Sequence, residues 1–489
     1  MRVRLLYSSK DFKWKDTENK MYDARFNDLE MGHILEAMCD GNEEIFNVCR
    51  QVIDESLQKK SEIIYRQEIL RDCIQNSEVI RKIYKVCMDT VSKRNNSWYG
   101  LSMTHSSTIF SNAIELLKIY MEALVDIRKI VEKENFSSEG MRRFSSLLCS
   151  ELSEDYLREL KSLKEDIDDR DSILISAGFG DFLQGVSYAE CRKDHGLSRL
   201  QWLILPSYTV SERDVSGAKD IEDRVDRAVN KVADATSRAA ENLERFTDQL
   251  RKEISFYLGA VNLLDKLKSL NFSFCFPVIS DEKRRMWNEL YDVSLAVMTR
   301  KKVVGNDVES YDKGLFLITG ANQGGKTTFL RSVGQCQLMM QSGLFVCAEK
   351  CEIPINRKIY THFKREEDET MSSGKLDEEL VRMSNIIDEI KSGDILLSNE
   401  SFSSTNDLEG SEIFGQITDG LIDSGVEVFS VTHLVNYADK YADGINTICL
   451  RAQRKENGER TFKLAFAKPL KTAYGEDIYK KVFGKDSIL

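Results

Sequence analysis

The stretch Gly320-Ala-Asn-Gln-Gly-Gly-Lys-Thr-Thr328 places glycine at 320 and 325, lysine at 326 and threonine at 327, the pattern Gly-x-x-x-x-Gly-Lys-[Ser/Thr]. It constrains the fold strongly, because such a loop works only between a buried strand and a helix. Both are written beside it. Gly314-Leu-Phe-Leu-Ile-Thr319 is a short apolar run of strand character, and Thr328 to Met340 carries apolar residues at helical spacing. Glycines let backbone N–H groups turn inward around phosphate oxygens, and the helix start adds partial positive charge. Lys326 then bridges the outer phosphates, and the Thr327 hydroxyl is available to a magnesium ion. Gly320, Ala321, Asn322, Gln323, Gly324, Gly325, Lys326, Thr327 and Thr328 are therefore the candidates for holding a nucleoside triphosphate.

Two further strand ends carry chemistry. Asp394-Ile-Leu-Leu-Ser-Asn-Glu400 reads as a buried strand that delivers Asn399 and Glu400 at its C-terminal edge, the edge from which α/β sheets act on ligands. In a phosphate-loop enzyme the first position holds the magnesium shell and the second orients or deprotonates the attacking water. Asn399 stands where an aspartate is usual. Its amide oxygen still accepts from a magnesium-bound water but brings no negative charge, which predicts weaker metal binding or slower turnover. Val428-Phe-Ser-Val-Thr-His-Leu434 is a third buried strand, ending in His433, placed to reach the γ-phosphate or the water. The catalytic candidates are thus Glu400, His433 and Lys326, and the metal candidates Thr327 and Asn399.

The only prolines among 489 residues are Pro206, Pro277, Pro354 and Pro469. The proline-free first 205 residues favour helices, and segments such as 28–39, 45–57, 61–73 and 109–133 show the periodicity of helices packed on one face. Short runs between about 172 and 208 predict a small β-rich insertion. From about 220 to 270 a heptad frame (Val229, Thr236, Leu243, Leu250, Tyr257, Leu264; Val232, Ala239, Phe246, Glu253, Ala260, Leu267) predicts one long helix with a packing seam that Thr236 and Glu253 interrupt. After Pro277 strands and helices alternate. The division expected is an α-helical domain, 1–275, bearing a long helical arm, followed by an α/β domain with the phosphate loop near its front, 276–489. Eleven scattered cysteines without paired spacing predict reduced thiols. The absence of a leader or of an apolar run of roughly twenty residues predicts a cytoplasmic chain without membrane contact. With a net charge of −11, any contact with nucleic acid has to come from a local basic patch. The basic clusters are Arg142-Arg143, Lys283-Arg-Arg285 and Arg300-Lys-Lys302.

Together these residues resemble the MutS family of mismatch-repair ATPases, which belong to the ABC class, and the resemblance implies that 1–275 is an α-helical core and lever and 276–489 an α/β ABC-type phosphate-loop ATPase domain. Thr319 to Thr328 is similar to that family's Thr-Gly-Pro-Asn-Met-Gly-Gly-Lys-Ser-Thr, with Asn322 the distinguishing residue; Asn306-Asp307 resembles its segment beside the adenine. Asn399-Glu400, Thr405, Glu409-Gly410, Thr432-His433 and Lys468 to Gly475 match later motifs, and Tyr65 to Asp72 and Asn271 to Pro277 resemble parts of its helical core. The resemblance implies ATP and Mg2+ as ligands, with Asn306 near the base. It also implies a homodimer in which Met371 to Leu380 reaches across to the partner's ATP, through Ser373 and Gly374, with Glu379 as the matching acid. Long arms on such a dimer imply a clamp on double-stranded or branched DNA, with a downstream repair protein as a further partner. The core begins near residue 30, which predicts a short member lacking the mismatch-reading domain, and no nuclease segment is expected after Tyr474-Gly475. Val303 and His362 depart from the family's phenylalanine and arginine.

The function expected is a DNA-binding ATPase of DNA repair or recombination that clamps DNA without reading mismatches directly. The alternative is a nucleotide-switched scaffold that recruits a protein partner with little hydrolysis. An ABC-type ATPase of another arm-bearing kind is disfavoured, because no Leu-Ser-Gly-Gly-Gln motif is present.

Overall fold

The computed structural model describes residues 2–15, 24–97, 106–153, 175–179, 186–190, 215–365, 374–455 and 460–470. Helices come first: α1 Ala24–Asp28, α2 Met31–Cys39, α3 Glu43–Asp54, α4 Lys60–Gln75, α5 Ser77–Ser97, α6 Ser106–Val131 and α7 Glu139–Glu151. A hairpin follows, β1 Ile175–Phe179 against β2 Val186–Glu190, and then α8, a single helix over Val215–Ser269. The remainder alternates: β3 Val278–Ile279, β4 Arg284–Leu290, α9 Val293–Thr299, β5 Asn306–Tyr311, β6 Leu315–Thr319, α10 Lys326–Gln341, β7 Lys350–Ile353, β8 Ile359–Phe363, α11 Lys375–Glu389, β9 Ile395–Asn399, α12 Asp407–Asp423, β10 Glu427–Val431, α13 Val435–Tyr441, β11 Thr447–Arg454 and β12 Arg460–Phe466. Among the described residues no helix is long and apolar enough to cross a membrane.

The chain forms two compact units. One comprises Met1–Val3, Arg81–Asn135 and Arg142–Arg251; the other comprises Arg4–Ile80, Phe136–Met141 and Lys252–Leu489. In the first, α6 buries Ile119, Leu124, Ile127 and Val131 at helical spacing, while α8 buries Ala240, Phe246 and Leu250. Arg94 on α5 pairs with Glu244 on α8 at 2.7 Å. The hairpin pairs Ile175 with Glu190 and Phe179 with Val186; the run Leu200–Leu205, also read as part of the β-rich insertion, lies outside the described residues.

In the second unit the seam expected along α8 gives way to complete burial. In the first unit's part of α8 Ala239 is exposed and its neighbour Ala240 buried, whereas in the second every residue from Glu253 to Leu264 is buried, so the helix here runs through a core rather than along one partner. Glu253, read from sequence as an interruption, is an anchor. Its carboxylate accepts from the backbone N–H groups of Leu5 and Leu6 at 2.5 and 2.8 Å. The same short segment is held by Tyr257 Oη donating to Leu5 O (2.6 Å), Tyr65 Oη to Arg4 O (2.7 Å) and Arg66 Nε to Leu6 O (2.7 Å).

The six-stranded sheet has the order β12-β11-β6-β10-β9-β8, parallel except for the antiparallel β11–β12 edge. Its central strands are buried on both faces, as parallel strands between helices must be. One face packs Leu315, Leu317, Leu396 and Val428 with Phe402, Phe414 and Tyr437; the other stacks Phe316 on Phe429 at 4.1 Å, with Trp287 of β4 edge-on. The smaller sheet, β3-β7-β4-β5, is fastened to it by Arg285, which is buried and bonds Glu427, Gln337 and Asn356 at 2.7, 3.1 and 2.7 Å. Its neighbours Lys283 and Arg284 pair with Asp312 and with Glu309 and Glu352. The basic triplet is therefore spent on carboxylates, Arg285 on Glu427 of the larger sheet, rather than left free for phosphate.

Glu253→Ala leaves two buried N–H groups without an acceptor and opens a cavity, at a cost of about 3 kcal/mol in denaturant unfolding. Glu253→Gln, which keeps an acceptor oxygen, costs less than half as much.

Candidate nucleotide site

The loop after β6 turns through left-handed backbone at Gly320, Gln323 and Gly325 (φ 117°, 58° and 90°), and two of these three positions are glycine. Glycine at 320 and 324 also answers a second demand. A Cβ there would stand 2.9 and 2.8 Å from the Cβ of Ala452 on β11, so the edge strand lies directly against the loop. Gln323 and Asn322 are exposed, and Gln323 accepts from Arg460 Nη1 at 3.2 Å. Lys326 begins α10 and turns its ammonium back onto Gly320 O and Ala321 O, both at 3.0 Å. Burial pushes its pKa down to about 8, against the upward pull of Glu400 and with a smaller downward push from Arg460. A buried cation facing the hollow of the loop suits an anion. Thr327 Oγ1 donates to Asn399 Oδ1 at 3.0 Å; Thr328 stands half-buried beside it.

Parallel register carries the other candidates to the same edge. Asn399 is level with Val431 on β10 and with Phe363 on β8. Glu400 follows in left-handed backbone (φ 56°), its N–H donating to Val431 O at 2.8 Å. Thr432 N–H donates to Ile318 O at 3.2 Å, which locks the strand end to β6 and presents His433. His433 Nε2 lies 3.2 Å from Glu400 Oε1 and 3.3 Å from Lys326 Nζ. The His433 hydrogen bond holds the Glu400 carboxyl below the ordinary range, against the opposing effect of burial. Lys326, Thr327, Asn399, Glu400 and His433 thus converge on one spot.

The turn beyond Glu400 is built for close approach. Phe402 is also left-handed (φ 57°), an outlier for a bulky residue, and its carbonyl oxygen lies 2.5 Å from where a Cβ on Gly410 would be. Asn406 caps α12 by accepting from Glu409 N at 2.9 Å, and Thr405 Oγ1 donates to the Glu409 carboxylate. His362 on β8 is fully buried, bonded to Ser401 Oγ through Nδ1 at 2.6 Å and to Glu379 O through Nε2 at 3.2 Å. Burial first, and the charges of Arg382 and Arg365 after it, push its pKa down to about 4.

The remaining candidates are placed differently. Asn306 is buried on β5, accepting from Leu464 N at 2.7 Å and donating to Phe462 O at 3.5 Å, so its amide is committed to β12. Gly374 is the exposed N-cap of α11; Ser373 lies outside the described residues. The bonds of His362 and the approach of Ala452 to the loop were not foreseen from sequence, and only the glycines at 320, 324 and 410 signalled crowded backbone.

A strand–loop–helix with this strand order is an α/β domain of the phosphate-loop class. The MutS2 N-terminal domain family matches residues 58–270 and MutS domain V matches residues 316–483. The chain belongs to the MutS family. Its relatives include the "Endonuclease MutS2" of Ligilactobacillus salivarius, 28% identical over 211 residues, covering 40% of this chain and 26% of that protein. The "Endonuclease MutS2" of Thermus thermophilus is 33% identical over 120 residues, covering 24% and 16%, and the "DNA mismatch repair protein MutS" of Thermosipho melanesiensis is 25% identical over 226 residues, covering 43% and 28%. The chain thus spans well under a third of the length of each of these relatives.

Gly410→Ala forces Phe402 O to move and costs about 2 kcal/mol or more, measured by thermal unfolding. His362 also makes a signed contribution to pH dependence. Its folded pKa lies below the ordinary value, so the stability it supports is complete above about pH 6.5 and falls as pH drops toward 4. Melting curves at pH 7 and pH 5 are expected to differ less for His362→Asn than for the parent.

Proposed function

We propose that this chain is a MutS-like ATPase that acts on DNA in repair or recombination, with ATP binding and hydrolysis driving closure of a homodimer on double-stranded or branched DNA. The observation that carries the reading is the single cluster of Lys326, His433 and Glu400 beside the Thr327–Asn399 pair. Lys326 and the loop N–H groups hold the outer phosphates of ATP. The convergent oxygens of Thr327 and Asn399 suit a hard cation, and Mg2+ held there would supply charge neutralisation at the phosphates. Glu400, kept ionised by His433, orients the attacking water and takes its proton. His433 reaches both Glu400 and Lys326 through the same Nε2, so it serves them in turn. Asn306 belongs to the base side of the site, and Ser373 and Gly374 to the contact with a partner's nucleotide. Mismatch reading is not part of the proposal; a downstream repair protein and a cytoplasmic setting are.

A second reading is favoured by one observation: both oxygens at the metal position, Thr327 Oγ1 and Asn399 Oδ1, are uncharged. A scaffold that binds ATP, changes shape and recruits a protein partner with little hydrolysis would tolerate that.

Steady-state hydrolysis, with and without duplex and four-way-junction DNA, separates the two. The ATPase reading expects turnover stimulated by DNA and lowered about a hundredfold or more in Glu400→Gln, with ATP binding retained. Turnover that is absent or indifferent to DNA and to Glu400→Gln, beside intact ATP binding, leaves the scaffold. Asn399→Asp restores a charged ligand and is expected to lower the Mg2+ concentration needed for half-maximal hydrolysis by about tenfold.

A further inference from the structure

We propose that His362 and Ser401 are positioning residues that hold Glu400 in place and tie that placement to α11; the proposal rests on the reading of Glu400 as the group that activates water. Glu400 and Phe402 both occupy left-handed backbone, which persists only where the surroundings impose it. Ser401 sits between them, buried, and its hydroxyl meets three groups: His362 Nδ1 at 2.6 Å, Ser398 Oγ at 2.7 Å and His362 O at 3.1 Å.

The protons in this set can be assigned from what each partner is able to do. Glu379 O is a carbonyl and only accepts, so the neutral imidazole carries its hydrogen on Nε2 and donates there at 3.2 Å. Nδ1 is then bare and accepts from the Ser401 hydroxyl at the shortest distance in the set, His362 O at 3.1 Å shares that single proton, and Ser398 Oγ donates to Ser401. The relay runs Ser398, Ser401, His362, Glu379 O, from the strand that bears Glu400 to the helix α11. The side chain of Glu379 closes the loop from the other end by accepting from Ser404 Oγ at 3.2 Å and from the Phe402 backbone. Phe402 stacks on the His362 ring with centroids 5.7 Å apart. Every residue of the turn from Ser401 to Ser404 is thereby referred to β8 or α11, except Ser403, whose hydroxyl is buried without a partner. A shift of α11 moves Glu379 O and, through the imidazole, the hydroxyl next to Glu400.

The test measures kcat, KM, ATP affinity and melting temperature for Ser401→Ala, His362→Ala, His362→Asn and the double alanine variant, with Glu400→Gln as reference. Ser401→Ala is expected to lower kcat about tenfold to a hundredfold, with ATP affinity changed less than about threefold. His362→Ala should do the same, and the double variant no more than either, as for residues acting as one unit. His362→Asn puts an amide oxygen where Nδ1 stands and is expected to recover most of kcat. Parental kcat in Ser401→Ala beside an inactive Glu400→Gln overturns the proposal alone. Parallel losses of kcat, ATP affinity and melting temperature overturn it in favour of a purely structural role, as does a further loss when Ser401→Ala is added to Glu400→Gln. Parental turnover by Glu400→Gln removes the water-activating reading itself, and the proposal with it.

Discussion

Parallel pairing of β6, β10 and β9 is the constraint on which the site depends. Register sets Val428 beside Leu315 and Glu427 beside Ile395, so the three strands end at one level. The phosphate loop, His433 and the Asn399-Glu400 pair leave the sheet from those three ends. Because side-chain direction alternates along a strand, a slip of one residue would send Asn399 to the opposite face and separate it from Thr327. The uninterrupted burial of β6, and of β9 up to its last residue, fixes the register more firmly than any contact within the site.

Polar groups buried beneath the sheet set its attachment to the rest of the unit. Arg285 is surrounded by one carboxylate and two amides and lies near the rings of Trp287 and Phe429. Arg66 bonds Leu6 O and Ser342 O and stacks over Tyr7. A guanidinium taken out of water contributes little net stability even when paired, but its fixed fork of donors tolerates few arrangements. These two side chains specify how the elements meet more than they add to how strongly they adhere. Cα-level crowding does the same at Gly343, where a Cβ would stand 2.4 Å from the Cβ of Arg66.

The features legible in the sequence are those written in neighbouring residues. The strand before Gly320, the helix after Lys326 and the strands ending at Glu400 and His433 follow from local pattern, and their order implied a sheet edge where they meet. What could not be read depends on partners far along the chain. Glu253 looks like a flaw in a heptad because its acceptors' donors, Leu5 and Leu6, lie 248 and 247 residues away. Lys283-Arg-Arg285 looks like a basic patch because Asp312, Glu352 and Glu427 are invisible at that point of the sequence. His362 looks like a lost arginine, and only the return of the chain at Ser401 shows what its ring holds.

The strap from Leu5 and Leu6 to Glu253 also bears on synthesis. Leu5 leaves the ribosome 248 residues ahead of its acceptor, a lag of roughly 10 to 50 s at about 5–20 residues per second. During that interval the N–H groups of Leu5 and Leu6 and the carbonyl of Leu5 lack their native partners, and the helices up to Gln75 stand without the buried core of α8. The order of emergence thus delays completion of this unit until more than half of the chain has been made.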